Sequence, residues 1–263
     1  MQCGHTMRRS FQAAAWLFLV GTALGEPEPT VADVSYGPHE RNVMDAWLAK
    51  SDEPTPMLVY IHGGGFKKGD KRSARRERLL PICLKEGVSF ASINYRYHGM
   101  AQFSEILLDG ARAVQFIRTR AEAWNIDPKR IGVYGSSAGA IMSLWIAFHD
   151  DVADEKSDDP VLRQSSRVAV AGGLATPVGT EIFCLVHVDE TDPPIFQFNR
   201  VDPGDKDNIH HPMHAIAVRD RCEKFGVENL LLLEHGDPPF QGDRTFEQKA
   251  FFFKHLRVGQ SKD

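Results

Sequence analysis

Short apolar segments alternate with longer amphipathic ones over most of this chain of 263 residues. Three apolar segments have the length and composition of buried strands, at residues 57–61, 88–94 and 130–134. Each is followed by a segment with helical periodicity, at residues 73–86, 106–124 and 140–148. Such alternation indicates parallel strands joined by right-handed crossovers. We therefore predict an α/β fold with a doubly wound, mostly parallel sheet that helices cover on both faces.

The flanking segments extend this pattern. Residues 31–36 and 43–48 are predicted as a pair of antiparallel strands joined through Gly37 and Pro38. The later elements are predicted as strands at 166–171, 194–198 and 228–233, and helices at 212–224 and 244–256. No clear periodicity is present between residues 172 and 192.

The segment Gly135-Ser136-Ser137-Ala138-Gly139 is a G-x-S-x-G motif between a predicted strand and a predicted helix. A sharp turn at this junction strains the backbone of its central residue and is tolerated only with small neighbours. It would lift the hydroxyl of Ser137 clear of the sheet. Ser137 is therefore the candidate nucleophile.

A second motif, His62-Gly63-Gly64-Gly65, follows the predicted strand at 57–61. Ligands of such sheets bind beyond the carboxyl ends of the strands, so this glycine run and Ser137 are expected at one edge. Backbone N–H groups of glycines can stabilise the oxyanion that forms when a serine attacks a carbonyl. Gly63 and Gly64, with the N–H of Ala138, are the predicted donors.

The first 25 residues have the layout of a signal peptide, since Arg8 and Arg9 precede an apolar run of about ten residues and then small residues. That run is too short to span a bilayer of about 30 Å as a helix, so we expect no stable membrane span. We expect the protein to be exported and to be secreted or periplasmic. Residues 26–34 are predicted as a linker and 35–263 as one domain. The formal charge of -4, with mixed signs along the chain, argues against a nucleic-acid partner.

Beyond the leader only three cysteines remain, Cys83, Cys184 and Cys222, and no disulfide framework is expected.

Five motifs occur together in the first half of the chain, in the order and with the spacing of a known family. They are His62-Gly63-Gly64-Gly65-Phe66, Asn94-Tyr95-Arg96, Asp109-Gly110-Ala111-Arg112-Ala113, Asn125-Ile126-Asp127-Pro128 and Gly135-Ser136-Ser137-Ala138-Gly139. Over residues 35–148 the chain thus resembles the hormone-sensitive-lipase-like esterases of the α/β-hydrolase superfamily. The resemblance implies an eight-stranded hydrolase sheet, no metal or organic cofactor, and hydrolysis of carboxylic esters. By analogy with secreted feruloyl and acetyl-xylan esterases, a small-molecule or carbohydrate ester is the expected substrate.

The resemblance also implies a catalytic acid after the strand at 194–198 and a histidine after the last strand. Asp202 is the first candidate for the acid, and Asp207 is the alternative. His235 lies in the loop after the last strand, about three residues before the family position, and is the first candidate for the general base. His211 is the alternative base.

Two other interpretations remain open, a degenerate hydrolase fold and a peptidase of the same fold. Because the histidine is displaced and no His-Gly precedes the acid, the chain could be a degenerate hydrolase fold that binds a carbohydrate or protein partner without catalysis. The histidines of Ile209-His210-His211-Pro212 and His214 have no cysteine or carboxylate to complete a metal site, so none is predicted. In the family that the chain resembles, the interval that corresponds to residues 172–192 lines the acyl pocket. This interval is short here, which predicts a short or absent cap and an open site.

Overall fold

A computed structural model describes residues 26–259 of the chain. The predicted signal peptide, residues 1–25, lies outside the described residues. One sheet of eight strands forms the centre of the molecule, in the spatial order β1-β2-β4-β3-β5-β6-β7-β8. Its strands are β1 Val31–Ser35, β2 Val43–Trp47, β3 Thr55–Ile61, β4 Ser89–Ile93, β5 Ile126–Ser136, β6 Val170–Leu174, β7 Ile195–Asn199 and β8 Asn229–Leu233.

Strand direction follows the sequence pattern. β1 pairs with β2, and β2 with β4, in antiparallel fashion. Every other neighbouring pair is parallel. β3 and β4 are buried along their whole length, as expected for strands covered on both faces. The predicted doubly wound, mostly parallel sheet is confirmed.

Six α-helices flank the sheet in the described part of the chain. They are α1 Leu79–Lys85, α2 Phe103–Thr119, α3 Ala138–Phe148, α4 Thr180–Phe183, α5 Pro212–Phe225 and α6 Arg244–His255. Apolar side chains of α2, α3 and α5 share one hydrophobic cluster, and those of α1 and α6 share the other. The two clusters are the two faces of the sheet.

Several boundaries differ from the predictions. The helix predicted at 73–86 is divided into a 3₁₀ helix, Lys71–Arg76, and α1. The strand predicted at 166–171 begins at Val170, and residues predicted as linker up to 34 include the start of β1. Edge strands and short helices depend on tertiary contacts that local periodicity does not contain.

Buried polar contacts brace the first half of the fold. The Asp109 carboxylate on α2 accepts hydrogen bonds from the Arg96 backbone N–H, at 2.9 Å, and from its guanidinium, at 2.8 Å. This interaction raises the pKa of Arg96. It ties α2 to the loop that follows β4.

Cys83, Cys184 and Cys222 are buried free thiols in the structure. Within residues 26–259, no helix is both long enough and apolar enough to cross a membrane.

Candidate active site

The carboxyl ends of four parallel strands meet at one place on the sheet edge. Ile61 at the end of β3 pairs with Gly135 of β5, and Ser136 pairs with Leu174 at the end of β6. β6 in turn pairs with β7, which ends at Asn199. The residues that follow β3, β5, β6 and β7 therefore surround a single site, as predicted for the two motifs.

Ser137 occupies the turn between β5 and α3 in a strained conformation. Its φ of 55° and ψ of -116° lie outside the regions that residues with a Cβ ordinarily adopt. The turn is held because the Ser137 N–H donates to the Leu174 carbonyl at 2.9 Å. The hydroxyl is thus presented at the end of the sheet, as the sequence predicts.

The glycines of the motif permit this turn because their neighbours leave no room for a side chain. A Cβ on Gly135 would lie 2.4 Å from the Gly139 carbonyl oxygen, and one on Gly139 would lie 2.0 Å from that of Ile61. The turn therefore packs directly on the end of β3.

The glycine run after β3 lies against Ser137. A Cβ on Gly63 would lie 3.3 Å from the Cβ of Ser137, and Gly64 has a φ of +119°. Ala138 begins α3, and the first N–H groups of a helix have no acceptor within the helix. The structure thus places Gly63 and Ala138 beside Ser137, and Gly64 follows directly after Gly63; these are the three residues predicted as oxyanion donors.

The side chain of His62 supports the glycine run. Its buried ring stacks on Tyr95 at a centroid distance of 4.4 Å, and its Nδ1 lies 2.7 Å from the Gly63 carbonyl oxygen. Burial lowers the pKa of His62, so the neutral ring can donate from Nδ1 to Gly63. The Tyr95 hydroxyl donates to the His62 carbonyl at 2.7 Å. These contacts fix the backbone that carries the predicted oxyanion donors.

The imidazole that reaches Ser137 is that of His210. Its Nε2 lies 2.8 Å from the Ser137 Oγ, within hydrogen-bond distance. Burial and, secondarily, the neighbouring His214 lower the pKa of His210. A neutral His210 is the form that can accept the serine proton.

His210, rather than His235 or His211, is therefore the partner of Ser137, which corrects both predicted candidates. His211 caps α5: its Nδ1 accepts from the Met213 N–H at 3.1 Å, and its Nε2 lies 3.0 Å from the Pro203 carbonyl oxygen. Both ring nitrogens are thus occupied by backbone groups.

His235 is exposed in the turn that follows β8. A hydrogen bond of 2.7 Å from the Phe240 N–H to the Leu233 carbonyl closes the loop that contains His235. His235 lies about three residues before the family position in the sequence, and in the structure the imidazole that contacts Ser137 is that of His210.

Neither predicted acid acts on His210. Asp202 is exposed and its carboxylate accepts from the Gly204 N–H at 2.7 Å in a local turn, and Asp207 is also exposed. Within residues 26–259, the two influences that set the pKa of His210 are burial and His214, and neither is a carboxylate. These aspartates are turn residues in the structure.

A carboxylate does approach the second histidine of this region. The Oε1 of Glu181, on α4, lies 2.5 Å from Nδ1 of His214, on α5. His214 is buried, and the pair joins the interval after β6 to the helix that follows His210.

Three hydrogen bonds to the backbone hold the segment that carries His210. The Asn199 side-chain amide donates to the His210 carbonyl at 2.8 Å, and the His210 N–H donates to Asn208 Oδ1 at 3.0 Å. The Val178 N–H donates to the Ile209 carbonyl at 2.7 Å. Asn199 occupies the end of β7, so the backbone of His210 is held at the sheet edge.

Sequence reasoning missed His210 although it considered the segment that contains it. The signal was Pro212, which favours the first position of a helix and so makes His211 the cap. A capping residue uses its side chain on the helix backbone, which leaves the preceding histidine free to face the site.

A cavity of about 1300 Å³ lies elsewhere, with Thr55, Ala169 and Lys254 among its lining residues. Thr55 begins β3 and Ala169 directly precedes β6, so this cavity is at the amino ends of the strands. It is on the opposite edge from Ser137.

The eight-stranded sheet with a strained serine turn at its carboxyl edge is the fold of the α/β-hydrolase superfamily. Comparison with known proteins places its similarities in the esterase branch of that superfamily: residues 44–173 match the family model described as BD-FAE.

Curated relatives carry esterase names. The chain is 29% identical over 148 residues to gut esterase 1 of Caenorhabditis elegans, which covers 53% of this chain and 26% of that protein. It is 26% identical over 220 residues to a probable isoprenylcysteine alpha-carbonyl methylesterase of Oryza sativa subsp. japonica, which covers 81% of this chain and 52% of that protein. The chain thus matches about half or less of the length of these relatives.

Solved structures share the fold. An acetyl ester-xyloside bifunctional hydrolase from Caldicellulosiruptor lactoaceticus aligns with a TM-score of 0.70 and 22% identity over 82% of this chain and 89% of its own. The propionate-bound esterase Est2 from Thermogutta terrifontis aligns with a TM-score of 0.68 and 18% identity over 90% of this chain and 98% of its own.

Proposed function

We propose that this protein is a serine carboxylic-ester hydrolase in which Ser137 is the nucleophile and His210 the general base. The single observation that carries the proposal is the 2.8 Å contact between Ser137 Oγ and His210 Nε2, made at a strained turn. A nucleophilic hydroxyl and a base within hydrogen-bond distance are the minimal machinery for acyl transfer. Esterase names among the relatives support the same class of reaction.

In the first half-reaction, Ser137 Oγ attacks the carbonyl carbon of the ester while its proton passes to His210 Nε2. The N–H groups of Gly63, Gly64 and Ala138 stabilise the oxyanion of the tetrahedral intermediate. The intermediate collapses, the C–O bond to the alcohol breaks, and His210 returns the proton to the leaving alkoxide. The acyl group remains on Ser137.

In the second half-reaction, water attacks the acyl carbonyl and gives its proton to His210 Nε2. Collapse of the second tetrahedral intermediate releases the carboxylic acid and returns the proton to Ser137 Oγ. His210 must present a free lone pair at Nε2 in both steps. Its lowered pKa keeps that lone pair available.

Asn199 performs part of the orienting role that an aspartate has in other hydrolases. Its amide holds the His210 backbone at 2.8 Å rather than the imidazole, so it orients the base without adding negative charge beside it. We expect a slower enzyme than a full triad would give, because an aspartate also stabilises the imidazolium that forms.

The substrate we propose is a small ester with an accessible carbonyl, and a carbohydrate ester fits this description. α4 is a helix of four residues, so the interval after β6 adds little material over the carboxyl edge of the sheet. Export of the protein through the predicted leader, residues 1–25, is part of the same proposal and agrees with an extracellular carbohydrate ester.

The test compares two histidine variants against p-nitrophenyl acetate. His210→Ala should lower kcat/KM by on the order of 10³-fold or more, because the serine loses its base. His235→Ala is the matched control, since this exposed histidine is the family-like alternative, and it should leave kcat/KM unchanged. The reverse result would overturn the assignment of the base.

The competing interpretation, a degenerate fold that only binds, is tested with a fluorophosphonate probe. We expect covalent labelling of Ser137 in the wild-type protein and strongly reduced labelling in His210→Ala. An unlabelled wild-type protein without esterase activity would favour the binding protein.

A further inference from the structure

Exposed apolar side chains are unevenly distributed over the described residues. The large apolar residues with exposed side chains are Met100, Leu108, Val178, Ile182, Phe183, Val186, Ile209, Met213 and Phe246. Six of these nine lie in two short segments, residues 178–186 and 209–213. We call these six the apolar rim: Val178, Ile182, Phe183, Val186, Ile209 and Met213.

On one side, the apolar rim adjoins the site around Ser137 through Ile209, the neighbour of His210. The Val178 N–H donates to the Ile209 carbonyl at 2.7 Å, so the two segments of the rim touch each other. Ile209 directly precedes His210. One half of the rim therefore borders the imidazole that contacts Ser137.

On the other side the rim meets the glycine run. The ring of Phe183 lies 4.4 Å from that of Phe103, and Phe103 packs edge-on against Phe66 at 5.0 Å. Phe66 directly follows the glycines beside Ser137. A surface that rests on the rim would thus lie over the carboxyl edge of the sheet.

The rim carries almost no free charge. Glu181 is the only carboxylate in the two segments, and it lies 2.5 Å from His214. No lysine or arginine is present in either segment. With a formal net charge of -4 for the whole chain, an anionic surface would be repelled rather than attracted.

We propose that the apolar rim binds the surface of an aggregated, uncharged and water-insoluble carboxylic ester, so that the enzyme acts at an emulsion interface as well as on dissolved esters. This inference rests on the proposed function, since it names the physical state of the substrate for the same serine. Clustered exposed apolar groups mark a binding surface, and their removal from water is favourable in proportion to the area covered. Because this surface adjoins the site of Ser137 through Ile209 and through the Phe183–Phe103 contact, the occupant that fits it best is one that brings an ester carbonyl there.

The experiment follows hydrolysis of tributyrin as its concentration passes the solubility limit, with p-nitrophenyl acetate as a dissolved reference. The variants are Ile182→Ser and Val186→Ser, whose side chains are 72% and 64% exposed. Phe246→Ser is the matched control, because Phe246 is 66% exposed but lies on α6, outside the rim.

We expect the wild-type rate to rise when the emulsion forms. In each rim variant the rate on the emulsion should fall about tenfold. This is the loss expected when most of one aliphatic side chain is no longer buried against the ester surface. The rate on p-nitrophenyl acetate should be unchanged in both rim variants, and Phe246→Ser should behave as wild type in both assays.

Other outcomes would overturn the inference. A wild-type protein that hydrolyses p-nitrophenyl acetate but shows no rise at the solubility limit would have no interfacial activity. A dimer in sedimentation velocity that Ile182→Ser dissociates and Phe246→Ser does not would make the rim an interface between two copies.

Failure of the proposed function is distinguishable from failure of this inference. Co-flotation of the Ser137→Ala protein with the tributyrin emulsion measures binding without turnover. Binding that Ile182→Ser abolishes would support the rim even if the wild-type protein hydrolysed neither ester, and its absence would overturn the rim even in an active enzyme.

Discussion

The two sides of the candidate active site are built differently. On the side of β3 and β5, Ser137 and the glycine run are fixed by main-chain geometry, with glycines that leave no space for a Cβ. On the side of β7, His210 lies in an irregular segment held by three hydrogen bonds. A side fixed by sterics has few tolerated sequences, whereas a side fixed by side-chain hydrogen bonds can be rebuilt from different residues.

This difference indicates which part of the site can differ in sequence between this chain and its relatives. The proposed nucleophile and oxyanion donors lie in the motifs that resemble the esterases, while the proposed base, His210, lies in the loop after β7 rather than in the loop after β8. Within residues 26–259, no carboxylate is among the groups that shift the pKa of this imidazole. The predictions below test how strictly each side is constrained.

The largest effect is expected from Ser137→Ala, which removes the proposed nucleophile. Turnover of p-nitrophenyl acetate should fall by at least about 10⁴-fold, to what the oxyanion donors alone provide. Steady-state kinetics measure this, with circular dichroism as the control for folding. Retention of even a tenth of the activity would mean that another residue carries the chemistry.

Next in size is Gly63→Ala on the sterically fixed side. The new Cβ would lie 2.7 Å from the Ser136 carbonyl oxygen, so the turn or the glycine run must shift. A displaced oxyanion donor costs on the order of 10²- to 10³-fold in kcat. The matched control is Gly65→Ala, where a Cβ meets nothing within 4 Å. Equal losses in both variants would contradict the steric account.

A smaller effect is expected from Asn199→Ala on the other side. The substitution removes the donor to the His210 carbonyl and the Oδ1 that accepts from the Val201 N–H at 2.8 Å. Loss of these bonds costs about 1 to 3 kcal/mol, and we expect kcat to fall about tenfold or more with little change in KM. A loss seen only in KM would place Asn199 in substrate binding instead.

The smallest effect is a shift in pH dependence from His214→Gln. His214 contributes to the lowered pKa of His210, and His210 must be neutral to act as base. Removing His214 should raise the pKa of His210, so the acid limb of kcat/KM should move to higher pH. Activity above that limb should persist. A limb that moves to lower pH would show that His214 raises the pKa of the base.

The sequence was sufficient to predict the side of the site that contains Ser137 and the glycine run, because the constraints on that side are local. A glycine two residues either side of Ser137 and three after His62 are conditions on neighbouring backbone, visible without any tertiary information. The order of strands and helices followed from periodicity for the same reason.

The other side could not be predicted in this way. His210 reaches Ser137 only because the segment after Asn199 folds back through Asn208 and Val178, contacts between residues up to about thirty positions apart. Family spacing pointed to His235, and spacing carries no information when a role has moved to another loop. The choice between His210 and His211 depended on the helix cap, which Pro212 assigns to His211.

The turn between β8 and α6 gains freedom from this arrangement. In an enzyme whose base follows the last strand, that turn cannot change in length without moving the imidazole. Here the loop between Leu233 and Phe240 is closed by its own backbone hydrogen bond, and the Ser137 Oγ pairs with His210 of a different loop. It is therefore the place on the catalytic edge where an inserted peptide, a tag or a fused binding module should be accepted with turnover intact.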